Sequence, residues 1–327
     1  MHQPAGASAA LPTSTSIRHL PVNLFASIMG IAGLSMAWQT AHKVFGAGAF
    51  VAQVSGILAL AVFIAMLAGY LCKAARHPDA VLAEFRHPVS GNFFGSIAIA
   101  TLLVSVIAGR YSAPLQQLLW SVGAALTFAI GYIVVARVLR GNTGDTNVVP
   151  PWLIPGVATL DIAVTGATLP MAWAHEINLA GAAIGAVVAL LFYTLIVARL
   201  VLRDPLPLAA TPSLMVLVAP FAVGFLAYAS FNGVDRFAGL LFYFALFIFA
   251  VTAVRVFRPS VPFSTGWWAI SFPLAALASA ALVYSAAVQV AFVSAIAVAM
   301  LALLTVAIAV LTVRTLHILF NGKLLGG

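Results

Sequence analysis

Ten apolar runs, each about as long as a bilayer's hydrocarbon core is thick, take up most of this chain. A helix needs about 20 apolar residues to cross that layer of about 30 Å. Of the 327 residues, 63% are hydrophobic and only 7% are charged, a composition typical of membrane proteins. We therefore expect an all-α integral membrane protein with ten transmembrane helices. The predicted spans are Val22 to Ala41, Ala49 to Ala75, Asn92 to Ala108, Ala113 to Val138, Trp152 to Trp173, Ile177 to Leu202, Ser213 to Phe231, Phe237 to Phe257, Phe263 to Tyr284 and Val288 to Leu316.

The connections between these spans alternate in length. Polar loops such as Lys73 to Ser90 and Arg140 to Pro150 follow even-numbered spans, whereas turns such as Gly109 to Ser112 and Asn232 to Arg236 follow odd-numbered spans. This alternation predicts five helical hairpins within a membrane domain of residues 21–317.

Lysine and arginine residues are divided unevenly between the two sides that this topology defines. Of the 15, only Lys43, Arg110 and Arg236 lie opposite the amino terminus. The other twelve lie on its side: Arg18, Lys73, Arg76, Arg86, Arg137, Arg140, Arg199, Arg203, Arg255, Arg258, Arg314 and Lys323. The positive-inside rule then places both termini in the cytoplasm.

The two ends of the chain are predicted to be short cytoplasmic tails. Met1 to Leu20 is polar and lacks the apolar core of a signal peptide, so we expect it to remain as a disordered tail. Residues 318–327 form the second tail.

The ninth span carries a Trp pair at its start and a Phe-Pro step inside it. Trp267 and Trp268 stand where interfacial aromatic residues are common. Pro273 removes a backbone donor, so we expect the helix to bend next to Phe272. Broken helices at membrane depth are tolerated where neighbours or a water-filled cavity accept the freed groups. The step is therefore a candidate for lining a pore, although ordinary packing of Phe272 and an incidental kink would give the same sequence.

Helix breakers also occur inside the other odd-numbered spans. They are Gly30, Gly33, Gly95, Pro155, Gly156, Gly166, Pro220 and Gly224. A hairpin repeated five times, with its irregular helix first, predicts an inner ring of kinked odd helices inside an outer ring of straighter even helices.

Four segments of the chain match a known family in order and spacing. They are LPVNLFASIMGIAGLSMAW from Leu20, His87-Pro88 before the third span, LVAPFAVGFLAY from Leu217, and WWAISFP from Trp267. Together they resemble the tellurite-resistance/dicarboxylate transporter (TDT) family, which includes bacterial TehA and the slow-type anion channels of plant guard cells.

The resemblance implies a fold and a mechanism. The family fold has five hairpins around a quasi-fivefold axis, with the odd helices lining a pore through each protomer and three protomers forming a homotrimer. The Phe before the Pro plugs that pore, which assigns the gate to Phe272 and Pro273. Candidates for the rest of the pore lining are Gly30, Gly33, Pro155, Gly156, Asp161, Pro220 and Gly224.

The sequence lacks the residues that catalytic, metal and nucleic-acid sites need. Only Asp161 lies deep within a span, whereas an aspartyl protease needs two facing carboxylates. Cys72 is the only cysteine, and the histidines lack ligand spacing, so neither a metal site nor a cofactor is expected. The formal charge of +8 does not indicate a nucleic-acid partner, because the basic residues flank apolar runs singly or in pairs. An enzyme is therefore not expected.

Two functions remain open from the sequence. The first is an anion channel of the bacterial inner membrane, for small inorganic or carboxylate anions, in which weak binding along an apolar pore permits flux. The second is a secondary transporter that moves a C4-dicarboxylate or tellurite together with protons, with Asp161 as the coupling group. A carboxylate on an anion pathway is repelled by its cargo, so in a channel we expect Asp161 to be neutral, paired or turned away.

Gly181 and Gly185 form a GxxxG pair in an even span. The pair predicts close helix packing, either within or between protomers.

Overall fold

The computed structural model describes residues 16–141 and 148–321, and those residues form eleven α-helices joined by turns and 3₁₀ segments. The helices are α1 (Phe25–Phe45), α2 (Phe50–Arg76), α3 (Pro78–Arg86), α4 (Phe94–Ala108), α5 (Ala113–Leu139), α6 (Leu153–Gly166), α7 (Ala172–Leu202), α8 (Ala219–Asn232), α9 (Arg236–Val256), α10 (Ser271–Val288) and α11 (Ala291–Phe320). Residues 1–15 and 322–327 of the predicted tails lie outside the described residues, as do 142–147 of the predicted loop Arg140 to Pro150.

Nine of the helices described, counted with the 3₁₀ segments before them, are long and apolar enough to cross a membrane. The fifth predicted span is represented by α6, which has only 14 residues. We predicted that this span runs to Trp173, but α6 ends at Gly166 because Pro170 and the turn around it interrupt the apolar run.

Five helices follow a 3₁₀ segment, and they are those of the odd-numbered spans. The segments are Val22–Leu24 before α1, Ser90–Phe93 before α4, Pro150–Trp152 before α6, Leu208–Val218 before α8 and Thr265–Ile270 before α10. Pro155, Pro220 and Pro273 lie in the first turns of α6, α8 and α10, where a helix needs fewer backbone donors. The bend predicted next to Phe272 is therefore a change from 3₁₀ to α-helix.

These five helices are also the buried ones. In the most apolar stretches that contain α1, α4, α8 and α10, between 61% and 78% of the residues are buried, against 22% to 33% for α2, α5, α7, α9 and α11. Nearly all of α6 is buried. The exposed set is the set that lipid would cover in a bilayer.

The buried helices contact one another in a closed ring. Helix α1 packs against α4, α4 against α6, α6 against α8, α8 against α10, and α10 against α1. Each exposed helix packs on the buried helix that precedes it and also reaches the next buried helix around the ring. The 3₁₀ segments meet at the end of the molecule where the described chain begins.

Helix α3 lies in the connection predicted as the polar loop Lys73 to Ser90. The Glu84 carboxylate on α3 accepts hydrogen bonds from the Val22 amide (2.8 Å), the Tyr70 hydroxyl (2.8 Å) and the Lys73 ammonium (2.7 Å). Lys73 also donates to the Leu20 carbonyl at 2.7 Å. Glu84 therefore ties α3 and the end of α2 to the start of α1.

The GxxxG pair packs within the chain. A side chain at Gly181 or Gly185 would meet Thr159 and its neighbours on α6: at Gly185 an added Cβ would lie 2.6 Å from the Thr159 Oγ1 and 2.8 Å from the Leu160 amide nitrogen. The two glycines allow α6 and α7 to approach closely, which settles that they pack within one chain.

We expect Gly185→Ala to destabilise the protein by about 1 to 3 kcal/mol, because a backbone atom of α6 must move to admit the methyl group. Gly131→Ala is the matched control, since an added Cβ there lies 3.7 Å from its nearest neighbour, Thr159 Cγ2. Thermal unfolding of the purified variants in detergent measures both. Equal stability of the two variants would contradict this account of the contact between α6 and α7.

Candidate functional site

The five buried helices surround a cavity of about 30 Å³. This volume holds about one or two water molecules and is too small for a hydrated anion. All five helices, with their 3₁₀ segments, contribute to its wall: Ala26, Met29, Phe93, Ser96, Ile99, Ile154, Val157, Val216, Ala219, Trp268, Ala269, Phe272 and Pro273.

The wall of this central cavity is apolar, and none of its side chains is ionisable. Its polar side chains already have partners. The Ser96 hydroxyl donates to the Phe93 carbonyl, and the Trp268 indole donates to the Thr315 hydroxyl at 2.8 Å. An apolar constriction of this size opposes the entry of a hydrated ion without any fixed charge.

Phe272 lies at the start of α10 with its side chain on the central cavity, and it is only 8% exposed. The residue before it fixes the backbone: the Ser271 hydroxyl lies 2.7 Å from the Trp268 carbonyl and 3.1 Å from the Ala26 carbonyl on α1. Pro273 follows at once and also lines the cavity. The start of α10 is thus held against α1, and Phe272 forms part of the wall of the central cavity.

The residue before each proline faces this cavity in three buried helices. Ile154, Ala219 and Phe272 precede Pro155, Pro220 and Pro273, and all three lie on the wall. Sequence reasoning singled out the prolines and missed Ile154 and Ala219. The repeated X-Pro step is the sequence signal that could have found them.

Asp161 lies in α6 and is 2% exposed. It follows Val157 by four residues and Ile154 by seven, which puts all three on one face of the helix. Asp161 therefore lies one turn beyond the central cavity on the same side of α6. Its Oδ2 atom has no hydrogen-bond partner among the described residues. A charged carboxylate in this buried position costs free energy. An ionisable residue at membrane depth is therefore a candidate functional residue.

Two predicted pore residues of α1 lie at its crossing with α10. A Cβ added to Gly30 would overlap Ser271, and one added to Gly33 would lie 2.5 Å from the Ala275 Cβ. These glycines are absent from the wall of the central cavity. Their position lets α1 and the first turns of α10, which contain Phe272, approach closely.

Pro155 and Gly156 lie at helix contacts on either side of α6. Pro155 packs beside Gly95 of α4, whose added Cβ would lie 3.4 Å from the proline nitrogen. Gly156 faces α7, and its added Cβ would lie 3.2 Å from the Ala189 Cα. Neither residue lines the central cavity, whereas Ile154, which precedes them, does.

Pro220 and Gly224 lie on the outer side of α8. They line a crevice of about 610 Å³ between α7, α8 and α9, whose wall is mostly apolar and includes His175 and Asn232. Successive residues of an α-helix point about 100° apart, so Ala219 faces the central cavity while Pro220 faces this crevice. Helix breakers also occur at helix contacts, so their positions alone do not identify the residues that line the central cavity.

Two aspartates outside the spans have local partners. At the end where the described chain begins, the Arg18 guanidinium lies 2.6 Å from Asp79 and lowers the pKa of that carboxyl from its ordinary value. At the opposite end, a hydrogen bond from the Tyr228 hydroxyl (2.6 Å) lowers the pKa of Asp235. Within the described residues, no three His, Cys, Asp or Glu side chains are grouped as a metal would require.

Comparison with known proteins gives one family. A sequence profile of the voltage-dependent anion channel family, SLAC1, matches residues 19–316. The tellurite resistance protein TehA homolog of Haemophilus influenzae is 26% identical over 269 residues, which cover 81% of this chain and 81% of that protein. An uncharacterized transporter of Methanocaldococcus jannaschii is 26% identical over 297 residues, or 82% of this chain and 86% of that protein.

A plant relative is longer. The S-type anion channel SLAH2 of Arabidopsis thaliana is 27% identical over 279 residues, which cover 82% of this chain but only 53% of the plant protein. The similarity therefore covers most of this chain and leaves about half of the plant channel unmatched.

Proposed function

The chain belongs to the voltage-dependent anion channel family, and from this premise we propose that it is an anion channel whose pore is closed by Phe272. The observation that carries the proposal is the convergence of five buried helices on one small apolar cavity with the Phe272 ring on its wall. Small inorganic or carboxylate anions would cross along the axis of this ring of helices.

The pore arrangement in this proposal is ten membrane helices in five hairpins around a quasi-fivefold axis. The closed ring of contacts among α1, α4, α6, α8 and α10 supports it, as does the 3₁₀ segment before each of them. Each protomer then holds its own pore, and the resemblance to the TDT family favours a homotrimer of such pores.

Gating in this proposal moves the Phe272 side chain. The Ser271 contacts with α1 hold the backbone of Phe272 in place, and the close approach at Gly30 leaves little room for α10 to slide. A rotation of the phenyl ring away from the axis needs no such movement. The apolar wall would then hold an anion only weakly, which favours rapid release.

The location in this proposal is the bacterial inner membrane, with both termini in the cytoplasm. Twelve of the 15 lysine and arginine residues lie on the side of the amino terminus in the ten-span topology, which supports that orientation. The 3₁₀ segments and the Phe272 constriction then lie towards the cytoplasmic half of the pore.

Asp161 supports a second candidate function, a proton-coupled transporter of C4-dicarboxylates or tellurite. A buried carboxyl with an unpartnered oxygen, on the helix face that continues the wall of the central cavity, could bind and release the coupled proton. The same carboxyl would repel an anion that passed close to it, which favours the channel.

We expect Asp161→Asn to leave anion current close to that of the unchanged protein, because the amide keeps the size of the side chain and a channel needs no coupled proton. Glu176→Gln, which replaces an exposed carboxyl near the start of α7, is the matched control. Current across planar bilayers and proton-driven uptake of succinate into liposomes measure the two functions. Uphill succinate uptake that disappears in Asp161→Asn but survives in Glu176→Gln would contradict the channel.

A further inference from the structure

A third cavity, of about 340 Å³, lies between the carboxyl-terminal ends of α7 and α9. We propose that this pocket binds the headgroup and upper acyl chain of an anionic phospholipid from the leaflet on the amino-terminal side. The pocket lies apart from the central cavity, and the proposal holds whether or not the protein conducts anions.

The charged part of the pocket consists of two arginines. Arg255 lies in the last turn of α9, and Arg258 lies two residues beyond the helix end. Among the described residues neither guanidinium has a carboxylate partner or a hydrogen bond, and both side chains are exposed at the mouth of the pocket. Two adjacent unpaired guanidinium groups complement a phosphate, which they can bind through several N–H donors at once.

The apolar part of the pocket extends from these arginines towards the membrane interior. Leucines of α7 and of the 3₁₀ segment before α8 form one side, among them Leu200, Leu214 and Leu217, and Val251 of α9 forms the other. A free phosphate ion would leave these walls uncovered. A phospholipid covers them with its acyl chain while its phosphate stays at the arginines.

The position along the membrane fits the same ligand. Val251 and Arg255 lie one helical turn apart on α9, so the change from apolar wall to charged mouth occurs within about 6 Å, as it does between acyl chain and headgroup. Basic pockets between membrane helices on the cytoplasmic side bind anionic lipid headgroups in this way. A zwitterionic lipid would gain much less binding free energy, because the positive charge of its headgroup is repelled by the arginines.

The test is binding of phosphatidylglycerol to the purified full chain in phosphatidylcholine nanodiscs, measured by native mass spectrometry of the released complex. We expect the unchanged protein to retain phosphatidylglycerol. Each replacement of an arginine should weaken the binding of this lipid about fivefold. The variant is Arg255→Gln with Arg258→Gln. The control is Arg76→Gln with Arg140→Gln, which removes the same charge from exposed positions at the same end of the molecule.

Each outcome decides the proposal. Selective loss of phosphatidylglycerol from the Arg255→Gln, Arg258→Gln variant supports it. Equal loss from both double variants would show only a general attraction of basic residues to anionic lipid and would overturn it. Phosphatidylcholine retained as strongly as phosphatidylglycerol would also overturn it, because binding of that lipid needs no arginine. Soluble glycerol phosphate bound as strongly as phosphatidylglycerol would overturn it too, because that binding needs no apolar wall.

Discussion

Replacing Phe272 by alanine is expected to change a nearly closed protein into one that passes anion current continuously. Phe272 lines a cavity of about 30 Å³ among the five buried helices, so in the proposed channel the loss of its ring widens the closed part of the pore. If Phe272 closes the proposed pore, the loss of folding free energy should stay below about 1 kcal/mol, because removing a ring from a passage leaves no void in packed core. Planar-bilayer recordings and thermal unfolding in detergent measure the two effects.

Phe225→Ala provides the matched control for Phe272→Ala. Phe225 is fully buried in α8, where its ring packs beside those of Phe242 and Tyr284. We expect this variant to lose about 3 to 5 kcal/mol of stability and to gain no current. If Phe272→Ala behaved in the same way, Phe272 would be a packing residue and the gate would lie elsewhere.

The second large effect is expected at Lys73, whose ammonium group is buried between Glu84 and the Leu20 carbonyl. Lys73→Met should cost about 3 to 5 kcal/mol, because it leaves the Glu84 carboxylate without its cation in a largely buried position. The start of α1 is held by the same carboxylate through the Val22 amide, so local order there should fall too. Thermal unfolding and hydrogen exchange of the purified variant measure both.

A second replacement distinguishes lost charge balance from lost packing. Adding Glu84→Gln to Lys73→Met removes the unpaired carboxylate, and we expect the double variant to be more stable than Lys73→Met alone. Asp79→Asn breaks the exposed pair with Arg18 and should change stability little. Lys73→Met as stable as Asp79→Asn would refute a structural role for the buried pair.

Much of the fold could be predicted because long apolar runs mark the spans and helix breakers distinguish the odd-numbered ones. The odd-numbered spans were expected to be the inner helices, and they are the more buried set. Hydropathy does not distinguish 3₁₀ from α-helix, so the segments before the buried helices were not predicted. Helix α3 was missed because it is short and polar enough to resemble a loop.

The candidate site could be predicted only in part. Phe272 was identified through its Phe-Pro step and a family resemblance, and the structure places it on the central cavity. Pro220 and Gly224 were chosen by the same reasoning from helix breakers, yet they face the outer crevice. A breaker identifies an irregular place on a helix, whereas the direction of each side chain depends on how the five helices are rotated in the ring.

The most direct test of anion conduction through the Phe272 constriction is the reversal potential of the Phe272→Ala current. Purified Phe272→Ala is placed in a planar bilayer with potassium chloride more concentrated on one side. The channel account predicts a steady current that reverses near the equilibrium potential of chloride, and little current from the unchanged protein. A current that reverses near the potassium potential, or no current in excess of the unchanged protein, would contradict it.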